Sequence, residues 1–309
     1  MKTALLFSGQ ATQYVGMGRH LYDHYPEARA VFDAADDVLK EPLSTLIFEG
    51  PQSDLNLTTN TQPAVLTVAL AAWAILEKRG FKPAVVAGHS LGEYAALVTA
   101  GVLRFDDALK ICRRRGELMQ TAVPQGHGAM IIVQRLEPEF VRAACRDVEG
   151  YADISVYNAP KLVAVSGETN AVNAVAEKLT LARGIVRPLA VSAPFHCELL
   201  APAARGLEQA FAKVELSALN VPYICNVDAQ WIDTATPETI RHNLIRQVVA
   251  PVRWEESIAL MMSKGIERFW HLGPGRSNLT HVKKQNRKAD VMSFDDADAV
   301  SELLGGTLV

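Results

Sequence analysis

No two cysteines lie close together in this chain. Its four, Cys112, Cys145, Cys197 and Cys225, form no CxxC pair, so the spacing signals of a zinc site or a redox dithiol are missing. A long chain with few, scattered cysteines fits a reducing compartment. Long hydrophobic runs are missing as well. The longest, Pro63 to Leu76, has 14 residues and contains Thr67, against the about 20 that a membrane span requires. It reads as a buried helix. The N-terminal apolar run, Ala4 to Phe7, is too short for the core of a secretory signal. The expectation is a cytoplasmic protein without a membrane partner. There is no surplus of charge either: the formal net value is -3, which speaks against nucleic acid as a partner and leaves only local basic patches, around Arg113 to Arg115 and Lys283 to Lys288.

Apolar residues make up 49% of the chain and charged ones 21%, enough for a sizeable core and against global disorder. At roughly 150 residues per domain, 309 residues suggest two folding units, or one large unit with an insertion.

The pattern divides the chain. Ala4 to Phe7 predicts a buried strand, Gly16 to Leu39 a helix broken near Pro26, Thr61 to Arg79 a long apolar helix and Ala84 to Ala87 a second buried strand. Leu91 to Leu103 and Asp106 to Met119 read as helices, the latter with acidic residues at its start. From Pro124 to Ala193 the order becomes β-α-β-β-α-β: strands Ala129 to Gln134, Ile154 to Tyr157, Leu162 to Ser166 and Ile185 to Val191, with helices Pro138 to Val148 and Ala171 to Ala182. After Pro194 come helix Cys197 to Val214, strand Pro222 to Asn226, helices Pro237 to Val249 and Pro251 to Lys264, and strand Arg268 to Leu272. The expected fold is α/β: a core with a mainly parallel sheet formed by residues 1–123 and 194–309, and an inserted ferredoxin-like unit over 124–193.

Residues Gly88-His89-Ser90-Leu91-Gly92 follow a predicted strand and precede a predicted helix. In that context G-x-S-x-G is a nucleophile elbow: glycines allow the sharp turn, the serine hydroxyl is lifted off the sheet, and the next N–H can bind an oxyanion. A serine needs a base. His89 diverges from Ser90 at such a turn and is either a substrate contact or a packed turn residue. The other candidates are His20, His24, His127, His196, His242, His271 and His281. His196 stands in a loop, Ser192-Ala193-Pro194-Phe195-His196, suited to presenting a side chain across a cleft. His20 and His24 have helical metal-pair spacing but no third ligand, so they read as a surface pair and no metal is expected.

Arg115 falls inside the apolar stripe of its helix, with Ala108, Ile111, Cys112, Leu118 and Met119. Arg113 is expected on the opposite face and Arg114 at the edge. A buried guanidinium calls for an anion. That anion is either a structural carboxylate or the carboxylate of a substrate held by a bidentate clamp.

Together these residues resemble the malonyl-CoA:acyl carrier protein transacylases and the acyltransferase domains of polyketide synthases. The likeness runs over almost the whole chain: Phe7 to Gln13 with Gly16-Met17-Gly18, Thr61-Gln62-Pro63-Ala64, Gly88 to Tyr94, Arg115-Gly116 with Met119-Gln120, Gly128-Ala129-Met130, Asn158, Ala193 to His196 and Gly273-Pro274-Gly275. The resemblance implies a hydrolase-like α/β core with a ferredoxin-like insertion. It implies Ser90 as acylated nucleophile, His196 as base held by the main-chain carbonyl of Gln247, and the Gln10 and Leu91 N–H groups as oxyanion hole. Arg115 would bind the malonyl carboxylate, with Gln62, His89, Asn158 and Phe195 as further pocket residues, Phe195 accompanying malonyl preference. The partners implied are malonyl-CoA and an acyl carrier protein. Coenzyme A and the carrier's phosphopantetheine serve as substrate arms and no other cofactor is called for; a monomer is the default. The rival readings are an acyl hydrolase on the same scaffold, for which an ordinary esterase arrangement would place the histidine at His271 or His281, and a non-catalytic carrier-binding protein. Two stretches depart from the family pattern. Ala11 stands where the family has a glycine, in a turn that calls for positive φ, and Arg276 to His281 replaces a Lys followed by an apolar Leu-Thr-Gly pattern.

Overall fold

The computed structural model describes residues 1–189, 191, 193–295 and 297–305. Ala190, at the end of one expected strand, and Ser192, in the expected histidine loop, lie outside the described residues.

The first stretch builds a helical layer on one strand. Strand β1 (Thr3–Phe7) is followed by α1 (Arg19–His24), α2 (Pro26–Leu39), α3 (Leu43–Glu49), α4 (Gln52–Leu55) and α5 (Thr58–Lys78). Helix α5 begins three residues before its expected start, so Pro63 lies inside it and not in its first turn. This is the one described helix long and apolar enough to cross a membrane. It is instead the central core helix, with almost every position from Thr61 to Leu76 buried, as a helix apolar on all sides requires. Strand β2 (Val85–Gly88), α6 (Gly92–Thr99) and α7 (Phe105–Thr121) follow.

The next six elements are β3 (Gly128–Gln134), α8 (Pro138–Arg146), β4 (Ala152–Ala159), β5 (Leu162–Glu168), α9 (Thr169–Leu181) and β6 (Ile185–Pro188). Their order is the expected one, though β6 is shorter than its apolar pattern suggested. The chain then forms α10 (Ala201–Phe211), β7 (Tyr223–Ile224), β8 (Trp231–Ile232), α11 (Pro237–Val249), β9 (Val252–Arg253), α12 (Trp254–Ser263), β10 (Arg268–Leu272), α13 (Ser277–Gln285), β11 (Asp290–Ser293) and α14 (Ala297–Gly305). Two expected helices are corrected here. Residues 198–200 form a 3-10 turn ahead of α10, which puts Pro202 in the first turn of the α-helix, where its missing N–H costs no helical hydrogen bond. Val252 and Arg253 are a strand, since they pair with β4; tertiary pairing outweighs local preference there.

Two sheets result. The larger has the order β11-β10-β1-β2-β7-β8, parallel except for the β7–β8 pair. Strands β1, β2 and β7 are buried at every position, as strands covered on both faces must be. The smaller sheet has the order β6-β3-β5-β4-β9 and is antiparallel except for β4–β9. One of its faces joins the main core through Met130, Val156 and Ala164. The other packs with α8 and α9 around a separate core of Ile131, Val133, Val163, Val165, Val172 and Val175. Because β9 belongs in sequence to the C-terminal stretch, its pairing with β4 brings that stretch onto the edge of the smaller sheet.

Candidate active site

The loops leaving the carboxyl ends of β1, β2, β7 and β10 meet at one edge of the parallel sheet, where open α/β sheets place ligands. The turn after β2 is as tight as its glycines suggest. A Cβ on Gly88 would stand 1.8 Å from the Gly92 carbonyl carbon, and one on Gly92 would stand 2.4 Å from the Phe7 oxygen. Ser90 between them has φ 54°, a strained value for a residue other than glycine. Its N–H donates to Asn226 Oδ1 at 2.8 Å, and Asn226 Nδ2 donates to the Gly88 carbonyl at 2.7 Å. Asn226 therefore braces both sides of the elbow.

His196 is the histidine that reaches the serine. Its Nε2 lies 2.6 Å from Ser90 Oγ. Its Nδ1 lies 2.7 Å from the Gln247 main-chain oxygen, which fixes the tautomer with the proton on Nδ1 and leaves Nε2 to accept. Burial, and next the charge of Arg115, push its pKa down to about 3, so the ring is neutral at physiological pH. His196 has φ 59° and Ala11 φ 71°. Ala11 thus takes the left-handed backbone that its glycine-like position called for. Of the other histidines, His271 is committed to Ser8 Oγ at 2.9 Å. His89 turns away from Ser90, its Nε2 3.0 Å from Asn158 Oδ1 and its ring edge-on to Trp254. His24 is exposed on α1, its Nδ1 2.9 Å from the His20 carbonyl, and no metal-holding cluster occurs among the described residues.

Arg115 is 1% exposed. Nη1 donates to Gln62 Oε1 and Nη2 to Gln247 Oε1, both at 2.9 Å. Nη2 also stands 3.4 Å from Ser90 Oγ, and the guanidinium lies over the Tyr94 ring. Among the described residues it makes no ion pair and its Nε has no partner. The structural-carboxylate alternative is therefore overturned: two neutral amides face this cation. Its helix neighbours also need correcting. Arg114 is the exposed one, paired with Glu117. Arg113 is half-buried and bound to Glu41 and Asn60, because α5 and the turn before α3 cover that edge.

Beneath Arg115 lies Glu93, which sequence reasoning assigned no role. It is fully buried. Gln247 Nε2 donates to its Oε2 at 2.7 Å and to the Ser90 carbonyl at 2.9 Å, while the Asn226 N–H donates to its Oε1 at 3.4 Å. Burial pushes its carboxyl up to about 8, against the lowering pull of Gln247, Asn226 and Arg115. Glu93 could have been suspected as the single charge in the apolar stretch 91–103. Asn226 carries no such signal.

The cleft in front of Ser90 has a volume of about 310 Å³. One wall comes from the smaller sheet and its exit loop, with Met130, Val156, Asn158, Leu189 and Phe195. The other comes from Gln10, Thr12 and His89, with Ser277 and His281 of α13. Arg115, Gln62 and Gln247 lie behind Ser90. Gln10 is on the β1 loop, tethered by its side chain to Thr58 Oγ1 at 3.0 Å. Leu91 is the N-cap of α6, where a helix N-terminus favours negative charge. A hydroxyl touching a neutral imidazole, amides at a helix start and a buried cation behind them can form and break an acyl ester with a carboxylate-bearing group.

The chain belongs to the acyl transferase domain family, whose pattern matches residues 4–296. Within that family its relatives are malonyl CoA-acyl carrier protein transacylases. It is 40% identical over 305 residues to the one from Bacillus subtilis (strain 168), covering 97% of this chain and 95% of the relative. The crystal structure of an acyl carrier protein S-malonyltransferase from Vibrio cholerae is 37% identical, with a TM-score of 0.93, over 98% of this chain and 100% of that one. A malonyl-transacylase solved with its type II polyketide synthase acyl-carrier protein is 35% identical, with a TM-score of 0.95, over 99% and 100%.

Proposed function

We propose that this chain moves a malonyl group from malonyl-CoA to the phosphopantetheine thiol of an acyl carrier protein, through an ester on Ser90. The observation that carries the reading is a single atom: Ser90 Oγ has His196 Nε2 at 2.6 Å and Arg115 Nη2 at 3.4 Å. His196 takes the hydroxyl proton as the oxygen attacks the thioester carbonyl. The Gln10 and Leu91 N–H groups hold the oxyanion. The C–S bond breaks, the thiolate takes the proton from His196, and malonyl-Ser90 remains. The carrier thiol then gives its proton to His196, attacks the ester and regenerates Ser90. A thioester is already activated, so the Gln247 carbonyl suffices to orient the base without a carboxylate.

The malonyl carboxylate replaces the neutral amide oxygens on Arg115, aided by Gln62, and forms a charge-assisted bidentate pair. Phe195 closes the wall against branched acyl groups, and His89 with Asn158 bounds the pocket. In this reading residues 124–193 form a ferredoxin-like domain on a hydrolase-like core, 1–123 and 194–309. The strand order β6-β3-β5-β4, with two helices on one face, supports that division. The protein works in the cytoplasm as a monomer and supplies extender units for fatty-acid or polyketide assembly.

Intact-mass measurement after separate mixing with malonyl-CoA, acetyl-CoA and methylmalonyl-CoA tests the reading. One malonyl adduct on the wild type, none on Ser90→Ala, and transfer to a holo carrier in preference to water are expected. Release to water alone would make the chain a hydrolase.

A further inference from the structure

We propose that His281, with Ser277 one turn before it on α13, forms a polar subsite that hydrogen-bonds an amide of the pantetheine arm. The inference rests on the malonyl-transfer reading above and adds the group that receives the arm. Positions i and i+4 of a helix share a face, and both of these residues line the cleft. Ser277 is exposed at the mouth, and His281 is half-buried further in. Its ring faces that of His89, with centroids 6.3 Å apart.

The imidazole is unemployed within the protein. Among the described residues neither of its nitrogens has a hydrogen-bond partner, and Nδ1 is shut off from solvent. Leaving a polar group buried and unpaired is costly, and the described residues supply neither ring nitrogen with a partner, so a histidine here calls for a ligand. Charge does not account for it. Burial first, then His89, Lys284 and His271, push its pKa down to about 3. A neutral imidazole can donate from one nitrogen and accept at the other. Nδ1 is enclosed, so the nitrogen that meets a ligand in the cleft is Nε2; it gives or takes one hydrogen bond according to tautomer, and a secondary amide offers a partner in either case, a C=O or an N–H.

Position decides which part of the substrate comes here. The acyl carboxylate goes to Arg115, behind Ser90 and outside the cleft lining. The thiol arm must leave in the opposite sense, along the open cleft, past His89 and His281 and out by Ser277. Coenzyme A and a holo carrier share that arm, so one subsite serves both half-reactions.

The test compares three malonyl donors: malonyl-CoA, malonyl-pantetheine and the malonyl thioester of ethanethiol, which has no arm amide. For His281→Leu, the kcat/KM ratio of malonyl-pantetheine to the ethyl thioester should fall about tenfold, mainly through KM, as expected for one neutral hydrogen bond. His281→Gln, which keeps a donor and an acceptor, should restore part of it. Equal losses on all three donors would make His281 a packing or acyl-pocket residue and overturn the subsite, as would an unchanged ratio. If His281→Leu fails to fold, exposed Ser277→Val carries the same comparison, with a smaller shift expected and an unchanged ratio again overturning the proposal. Wild-type enzyme that takes no malonyl adduct would instead refute the transfer reading itself.

Discussion

The main-chain oxygen of Gln247 lies 2.7 Å from His196 Nδ1, while the same residue's side-chain oxygen lies 2.9 Å from Arg115 Nη2. One residue thus orients the base through its backbone and the cation through its amide, and substitution can separate the two. Gln247→Ala keeps the carbonyl, so Ser90 loading should fall far less than in His196→Ala, which loses the base itself and on the order of a hundredfold or more in rate. Rapid-quench measurement of acyl-enzyme formation checks this. Equal losses in the two variants would mean that the His196–Gln247 bond is not what orients the base.

Arg115→Ala should invert acyl preference. Breaking a buried charge pair costs about 3 to 5 kcal/mol, so malonyl loading should drop more than a hundredfold. Acetyl, which has no carboxylate to leave unpaired, should lose much less and become the better relative substrate. Competition between the two CoA thioesters, read by intact mass, decides it. The same loss for both acyl groups would reject the carboxylate clamp.

Most of this site was legible where chemistry imposes a local pattern. The elbow at Ser90 announces itself by two glycines whose Cβ atoms would collide with backbone. Arg115 announces itself by sitting in an apolar stripe. His196 was one of several histidines by position, and only the wider resemblance singled it out, because its meeting with Ser90 spans 106 residues of chain. Asn226 and the β9 strand were not legible. Each does its work by pairing with residues far away in sequence, Ser90 in one case and Val156 in the other, and short-range periodicity carries no trace of such pairing.

Acid should act on stability before it acts on the base. His196 and His271 are fully buried with pKa values near 3 and 4, below the roughly 6.5 of an unfolded histidine. Below that value the unfolded chain binds protons that the native state refuses. The stability these groups contribute is therefore complete above about pH 6.5 and is lost as pH falls toward 4 and then 3. Each contributes a slope of about 1.4 kcal/mol per pH unit inside that window. Urea unfolding at pH 7, 5.5 and 4.5 should show the decline, and His271→Asn should remove about one histidine's share. Ser90 acylation should stay flat from about pH 7 to 5, since His196 remains neutral and Glu93 protonated throughout. A fall centred near pH 6.5 would show that the base titrates as an exposed imidazole.

Glu93 should behave as a positioning residue whose neutral form is the working one. As the acceptor of Gln247 Nε2 it decides which way that amide faces, and hence that an oxygen, not an NH2, meets Arg115. Glu93→Leu frees the amide to turn and leaves its N–H groups without a buried acceptor. Malonyl-over-acetyl selectivity should then fall about tenfold, with a smaller effect on acetyl loading. Glu93→Gln keeps a carbonyl oxygen at the same place and should retain selectivity. The pH dependence separates this from general packing. Burial raises the carboxyl to about 8, well above an unfolded glutamate near 4.3. Its contribution to stability is therefore present in acid and is lost as pH rises through 8. Glu93→Gln has nothing to ionise, so between pH 6 and 9 it should lose less stability than the wild type. Parallel losses in the two proteins, together with unchanged selectivity in Glu93→Leu, would remove Glu93 from the control of Arg115.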